Sequence, residues 1–182
     1  MRVITGSARG SRLTTLEGDS VRPTPERVKE ALFSALQFQI EGRRVLDLFA
    51  GSGQLGIEAL SRGAKQAVFV DASKNSVSVV QKNLEHTGLS ENAVVKTMDF
   101  AAFLLQNREH FDLAFLDPPY RTGLLQRALP LTAEVMNTGG TIICEHPRDE
   151  EMPQEAGNFV LARSYRHGKI QLTLYRHKDV TE

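Results

Sequence analysis

The chain has 182 residues, 41% hydrophobic and 24% charged, with 22 basic and 22 acidic side chains. That length suits a single domain over 1–182 that can bury a real core, and no apolar run approaches the roughly 18 residues of a membrane span. The opening MRVITGSARGSRL lacks the apolar stretch of a secretory signal, and the lone Cys144 has no partner for an internal disulfide, so we expect a cytoplasmic monomer with no membrane role.

Residues 1–21 read as a basic arm or small hairpin, ahead of a core over 22–182. The first 16 residues carry Arg2, Arg9 and Arg12 and no acid, with Gly and Ser where the chain would turn. A helix follows, with Thr24 as N-cap and Pro25 at the first helical position. Val28, Leu32, Ala35 and Leu36 then recur on one face.

From Arg44 onward, short apolar runs alternate with helix-like stretches, as repeated βα units around a parallel sheet require. The runs are VLDLFA (45–50), AVFVD (67–71), AVVKTMD (93–99), FDLAFLD (111–117) and GTIICEH (140–146). The stretches between them, such as SKNSVSVVQKNLEHTG, have the apolar spacing of crossover helices. After Pro147 two strand-like runs meet at His167 and Gly168 and predict an antiparallel hairpin at the sheet edge. The fold class is therefore α/β, with a mostly parallel sheet and a C-terminal hairpin.

The overall charge is zero, but the ends are basic. Residues 161–178 hold five Lys or Arg and no acid, whereas 17–160 hold 14 basic against 20 acidic side chains. Such asymmetry allows a phosphate-facing patch on a neutral protein, and Arg2, Arg9, Arg12, Arg22, Arg166 and Lys169 are its candidates.

VLDLFAGSGQLGIEAL carries a buried strand through a glycine turn into a helix, with Gly51, Gly53 and Gly56 in G-x-G-x-x-G spacing. A nicotinamide dehydrogenase shares that spacing. Asp47, inside the strand, shifts the reading to S-adenosylmethionine, because a carboxylate there can hold a cationic α-amino group but would oppose a pyrophosphate. Asp71 ends the next strand and suits the ribose hydroxyls. Asp99, followed by Phe100, suits the adenine amino group and ring, although an Asp in this place also caps helices.

The fourth strand ends in Asp117-Pro118-Pro119-Tyr120. Two prolines end the ladder and fix a turn at the carboxyl end of a parallel strand, where open α/β sheets bind ligands. An exocyclic amino group is a weak nucleophile, its lone pair being delocalised into the ring. The Asp117 carboxylate and the Pro118 carbonyl can accept its hydrogens while Tyr120 stacks on the base. Cys144 reads as a small core hydrophobe rather than a nucleophile. The five histidines have no metal-ligand spacing and read as surface or edge residues, so no metal is expected.

These residues identify a family. The arm MRVITGSARGSRL, the segment RPTPERVKEALF, the block DLFAGSGQLGIEALSRGA and DPPY together resemble the RsmD-like bacterial methyltransferases, across nearly the whole chain. The resemblance implies a Rossmann-like class I methyltransferase fold with S-adenosylmethionine as donor. It also implies that the acceptor is the N2 of a guanine in a hairpin loop of small-subunit (16S) ribosomal RNA, methylated within a subunit assembly intermediate. Carried across, Asp47, Gly51, Gly53, Asp71, Asp99 and Phe100 would hold the cofactor, and Asp117 to Tyr120 would form the catalytic turn. Arg22, Pro23 and Thr24 would lie near it. Two positions depart from the family pattern: Gln54, where a smaller residue is expected, and His167, where an aromatic is usual. The alternatives are adenine-N6 methylation of RNA or DNA, and a catalytically silent RNA-binding assembly factor.

Overall fold

The computed structural model describes residues 1–18 and 24–180. Arg22, expected to contact RNA, and its neighbour Pro23 lie outside the described residues.

The elements in chain order are α1 (Glu26–Ala35), β1 (Arg44–Leu48), α2 (Gln54–Ser61), β2 (Gln66–Asp71), α3 (Lys74–Thr87), β3 (Ala93–Thr97) and α4 (Phe100–Gln106). There follow β4 (Phe111–Leu116), α5 (Leu124–Ala133), β5 (Met136–Pro147), β6 (Glu155–Ala156), β7 (Phe159–His167) and β8 (Ile170–His177). They form one eight-stranded sheet in the order β3-β2-β1-β4-β5-β8-β7-β6. The first five neighbours pair in parallel, and the C-terminal hairpin adds antiparallel with β8 against β5. This is the mostly parallel α/β sheet with a C-terminal antiparallel hairpin that the sequence pattern predicts.

Strand order reverses between β1 and β4, so the loops leaving their carboxyl ends diverge and open a crevice there. Both faces of the sheet are covered. Val45, Leu113, Phe115 and Ile143 point to one side, where α1, α2 and α3 pack. Leu46, Ala114, Leu116 and Cys144 point to the other, against α4 and α5. Burial on both faces explains why these strands read as continuous apolar runs.

The N-terminal arm is part of this core. Val3, Ala8 and Leu13 are buried in the cluster that contains α1 to α3, and Arg2 and Arg12 face each other across an antiparallel bridge. Charged groups buried beneath the arm hold it. Glu58 of α2 accepts the backbone N–H groups of Ile4 (2.8 Å) and Thr5 (3.1 Å) and pairs with Arg62 (2.9 Å) and Lys29 (3.3 Å). Lys29 also donates to the Arg2 carbonyl at 2.8 Å. Burial lowers the Lys29 pKa, and the Glu58 charge opposes that shift.

Three sequence expectations change. Thr24 does not cap α1: Pro25 holds the N-cap position, and the Thr24 hydroxyl donates instead to Glu145 Oε2 at 2.9 Å. Ala35 is exposed, and Phe33 takes its place in the core. His146 is fully buried rather than at the surface. Its Nδ1 lies 2.8 Å from the Pro147 carbonyl, to which it donates, and its Nε2 lies 2.7 Å from the Thr173 hydroxyl.

Candidate active site

A cavity of about 540 Å³ lies over the carboxyl ends of β1, β2, β3 and β4. Every acid singled out in the sequence lines it: Asp47, Asp71, Asp99 and Asp117.

Asp47 is 2% exposed, and its Oδ2 accepts the Gly56 N–H at 3.0 Å. Burial pushes its carboxyl up to about 8; the neighbouring Asp71 charge adds to the shift and the Gly56 bond opposes it. Gly56 is needed for this geometry. A Cβ there would meet Phe69 Cε1 at 2.4 Å and Asp47 Oδ2 at 3.2 Å, so any side chain would force the buried Phe69 ring or α2 to shift.

Asp71 accepts the Gly51 N–H with one oxygen and the Ser73 N–H with the other, both at 2.9 Å. Each oxygen keeps a second lone pair for a ligand hydroxyl. Asp99 does cap a helix, its Oδ2 accepting from Ala101 (3.0 Å) and Ala102 (3.2 Å) at the start of α4, while the residue also lines the cavity. The capping and binding readings are therefore compatible.

The glycine turn divides its tasks. Gly51 lines the cavity, at φ 59. Gly53, expected to contact the cofactor, is not among the lining residues. It is the N-cap of α2 at φ 84, and a Cβ there would press on Val80 at 3.2 Å. Its part is conformational. Phe49, which the sequence reading passed over, also has a positive φ of 64. Such backbone is sterically strained in a residue other than glycine. Its ring lines the cavity and lies 5.2 Å from that of Phe100, over which the Arg127 guanidinium sits at 5.2 Å. Phe100 thus belongs to both the core and the cavity wall.

Asp117, Pro118 and Pro119 reach the cavity, across the crevice from the glycine turn. Tyr120 does not; it lines a small adjacent recess with Glu145. Met1, Thr15 and Leu16 close another side, so the arm contributes a wall to the site.

The basic residues separate in space. Arg166 and Lys169 are exposed at the β7–β8 turn, on the sheet edge that carries the Asp117–Tyr120 turn, and the Lys169 carbonyl accepts from Arg148 N at 2.9 Å. Arg27 comes close to the same turn: a Cβ on Gly168 would lie 3.8 Å from its guanidinium. Arg9 and Arg12 are exposed too, but Arg9 lies on the arm's turn beside Ser61, at the end of α2 remote from the cavity. Arg2 pairs with Glu26 at 3.1 Å. Among the described residues no cluster of three or more His, Cys, Asp or Glu could hold a metal ion, and no helix is long and apolar enough to cross a membrane.

The family model described as "Conserved hypothetical protein 95" matches residues 1–176. The Haemophilus influenzae protein named Ribosomal RNA small subunit methyltransferase D is 37% identical, over 97% of this chain and 94% of its own. The Escherichia coli K12 protein of the same name is 33% identical, over 98% and 90%. Among solved structures, the Escherichia coli protein yhhF superposes with a TM-score of 0.86 at 34% identity and 97% coverage of both chains. A more distant methyltransferase, SMU.776, solved in complex with SAH, shares the fold with a TM-score of 0.69 at 15% identity, over 86% of this chain and 50% of its own. With a family model over 1–176 and relatives matched over almost their whole length, this chain belongs to the RsmD family of ribosomal RNA methyltransferases.

Proposed function

We propose that this protein transfers a methyl group from S-adenosylmethionine to the exocyclic N2 of a guanine in small-subunit ribosomal RNA, in a hairpin loop of an assembly intermediate. One observation carries the reading. The Asp117-Pro118-Pro119 turn opens into the same cavity as Asp47, Gly51 and Asp71, across the point where strand order reverses.

The residues present suit the cofactor. The cavity's volume lies within the roughly 300–1,000 Å³ of small-molecule sites. Asp47 would hold the cationic α-amino group, Asp71 the ribose, and Asp99 with Phe100 the adenine. When bound, the cofactor supplies an activated methyl group on a sulfonium. The chain's own work is positioning: the Asp117 carboxylate and the Pro118 carbonyl accept the amino hydrogens and turn the nitrogen lone pair towards the methyl group. Such acceptors act most strongly where charge develops in a site shielded from water. A base paired in a duplex would have to be extruded, so an unpaired loop base is the easier target. Arg166 and Lys169, exposed on the same edge, would hold backbone phosphates.

Mass mapping of ribosomal RNA nucleosides in a strain lacking this protein, before and after complementation, tests the proposal. Loss and recovery of N2-methylguanosine at one small-subunit position is expected. Loss of N6-methyladenosine would favour the adenine alternative, and an unchanged pattern the silent assembly factor.

A further inference from the structure

Glu145 is a buried acid that the mechanism above does not use. It is 4% exposed, and its Oε2 accepts from the Thr24 hydroxyl at 2.9 Å. Its Oε1 has no hydrogen-bond partner among the described residues. An unfilled acceptor on a buried carboxylate is unfavourable, and a ligand that supplies the missing donor gives a reason to keep it.

The sheet register puts this oxygen beside the catalytic turn. Leu116 of β4 is level with Cys144 of β5, so one residue further on Asp117 is level with Glu145. Neighbouring strands lie about 4.8 Å apart. Ile143 packs on the α1 side and Cys144 on the other, so alternation returns Glu145 to the α1 side, as its bond to Thr24 requires. With Pro118 and Pro119, which also line the main cavity, it borders a recess of about 10 Å³, room for the hydrogen-bonding edge of a base seated in the cavity but not for a whole base.

We propose that Glu145 is the residue that selects guanine: its Oε1 accepts the N1–H of the target base while Asp117 accepts a hydrogen of N2. This rests on the guanine-N2 reading and deepens it. The pairing edge of guanine presents N1–H and N2–H donors side by side, a fit for two acceptors in adjacent strands. Adenine presents a bare N1 acceptor there, which a carboxylate repels. Flipped or unpaired bases are read through this edge. Sites built to hydrogen-bond a substrate group strongly reject analogues that lack it, because the buried partner is left unpaired.

The test uses small-subunit particles reconstituted on ribosomal RNA carrying either guanine or 2-aminopurine at the mapped nucleotide. 2-Aminopurine keeps the N2 amino group and lacks N1–H. The wild type should favour guanine by at least about tenfold in kcat/KM. Glu145→Gln retains an acceptor for Thr24 and presents N–H to the bare N1, so the ratio should collapse or invert while S-adenosylmethionine affinity is unchanged. Should Glu145→Gln melt early, Thr24→Val, which releases Oε2 and leaves the carboxylate unanchored, should narrow the ratio instead. A wild-type enzyme indifferent to the two bases, or variants that keep the wild-type ratio, would overturn the proposal while leaving guanine-N2 methylation standing. Mapping to adenine would overturn the underlying reading itself.

Discussion

Under the proposed function, Asp47 ties cofactor binding to the pH dependence of stability. Its carboxyl is raised from 3.8 to about 8 by burial, so between those values the folded chain keeps a proton that the unfolded chain has lost. Stability from this group is complete below pH 3.8 and is lost as pH rises towards 8, at about 1.4 kcal/mol per pH unit while the full proton difference persists. From pH 5 to pH 7 that amounts to about 3 kcal/mol. Asp47→Asn has no proton to lose, and its carboxamide oxygen can still accept the Gly56 N–H. In urea unfolding at pH 5, 6 and 7, the variant should therefore gain on the wild type by this amount across the series. Binding should run the other way. A cationic α-amino group stabilises the ionised carboxyl, so calorimetry near pH 7 in buffers of different ionisation enthalpy should detect release of close to one proton, and Asp47→Asn should bind S-adenosylmethionine more weakly. Parallel stability profiles for the two proteins would refute the buried, protonated state.

Gly56→Ala forces a Cβ to within 2.4 Å of Phe69, so it should destabilise the fold by about 1–3 kcal/mol in thermal or urea unfolding and weaken cofactor binding with it. Glu58→Ala leaves Lys29 buried without its counter-charge and releases two arm N–H groups, a loss of about 3–5 kcal/mol by denaturant titration. Arg166→Ala with Lys169→Ala should flatten the salt dependence of RNA binding by about one unit of log–log slope per lost phosphate contact, with cofactor affinity unchanged. Arg9→Ala, on the arm's turn beside Ser61, should have the smaller effect, and equal effects would mean that the arm as a whole tracks the RNA.

The βα alternation, the hairpin at Gly168 and the site turns at Gly51 and Asp117 were legible because each is written locally, as periodicity or as residues that punctuate a chain. What escaped depends on partners distant in sequence. Val3, Ala8 and Leu13 look like parts of a loose basic arm until Glu58, 54 positions beyond Ile4 and 53 beyond Thr5, supplies the acceptors that fix it. Thr24 carries the signature of an N-cap, yet its hydroxyl bonds Glu145, 121 positions away. His146 passes for an edge histidine because nothing nearby announces Thr173. The strained φ of Phe49 leaves no trace in residue type, since such a position normally calls for glycine. Glu145 ends an apolar run and reads as an ordinary strand terminus, and its meaning comes from the register with β4.

The central claim is that Asp117 acts as acceptor for the base amino group. Its contribution is then larger in the transition state than in the bound complex, and its removal should lower kcat more than it raises KM. The direct measurement is the rate of methyl transfer by wild type, Asp117→Asn and Asp117→Ala to small-subunit particles from a strain lacking the protein, with cofactor and RNA binding measured alongside. We expect binding to persist in both variants, the alanine to lose about a hundredfold or more in kcat, and the asparagine, which keeps one acceptor, to retain part of the activity. An Asp117→Ala enzyme that turns over at the wild-type rate would contradict the account and reduce Asp117-Pro118-Pro119-Tyr120 to a structural turn.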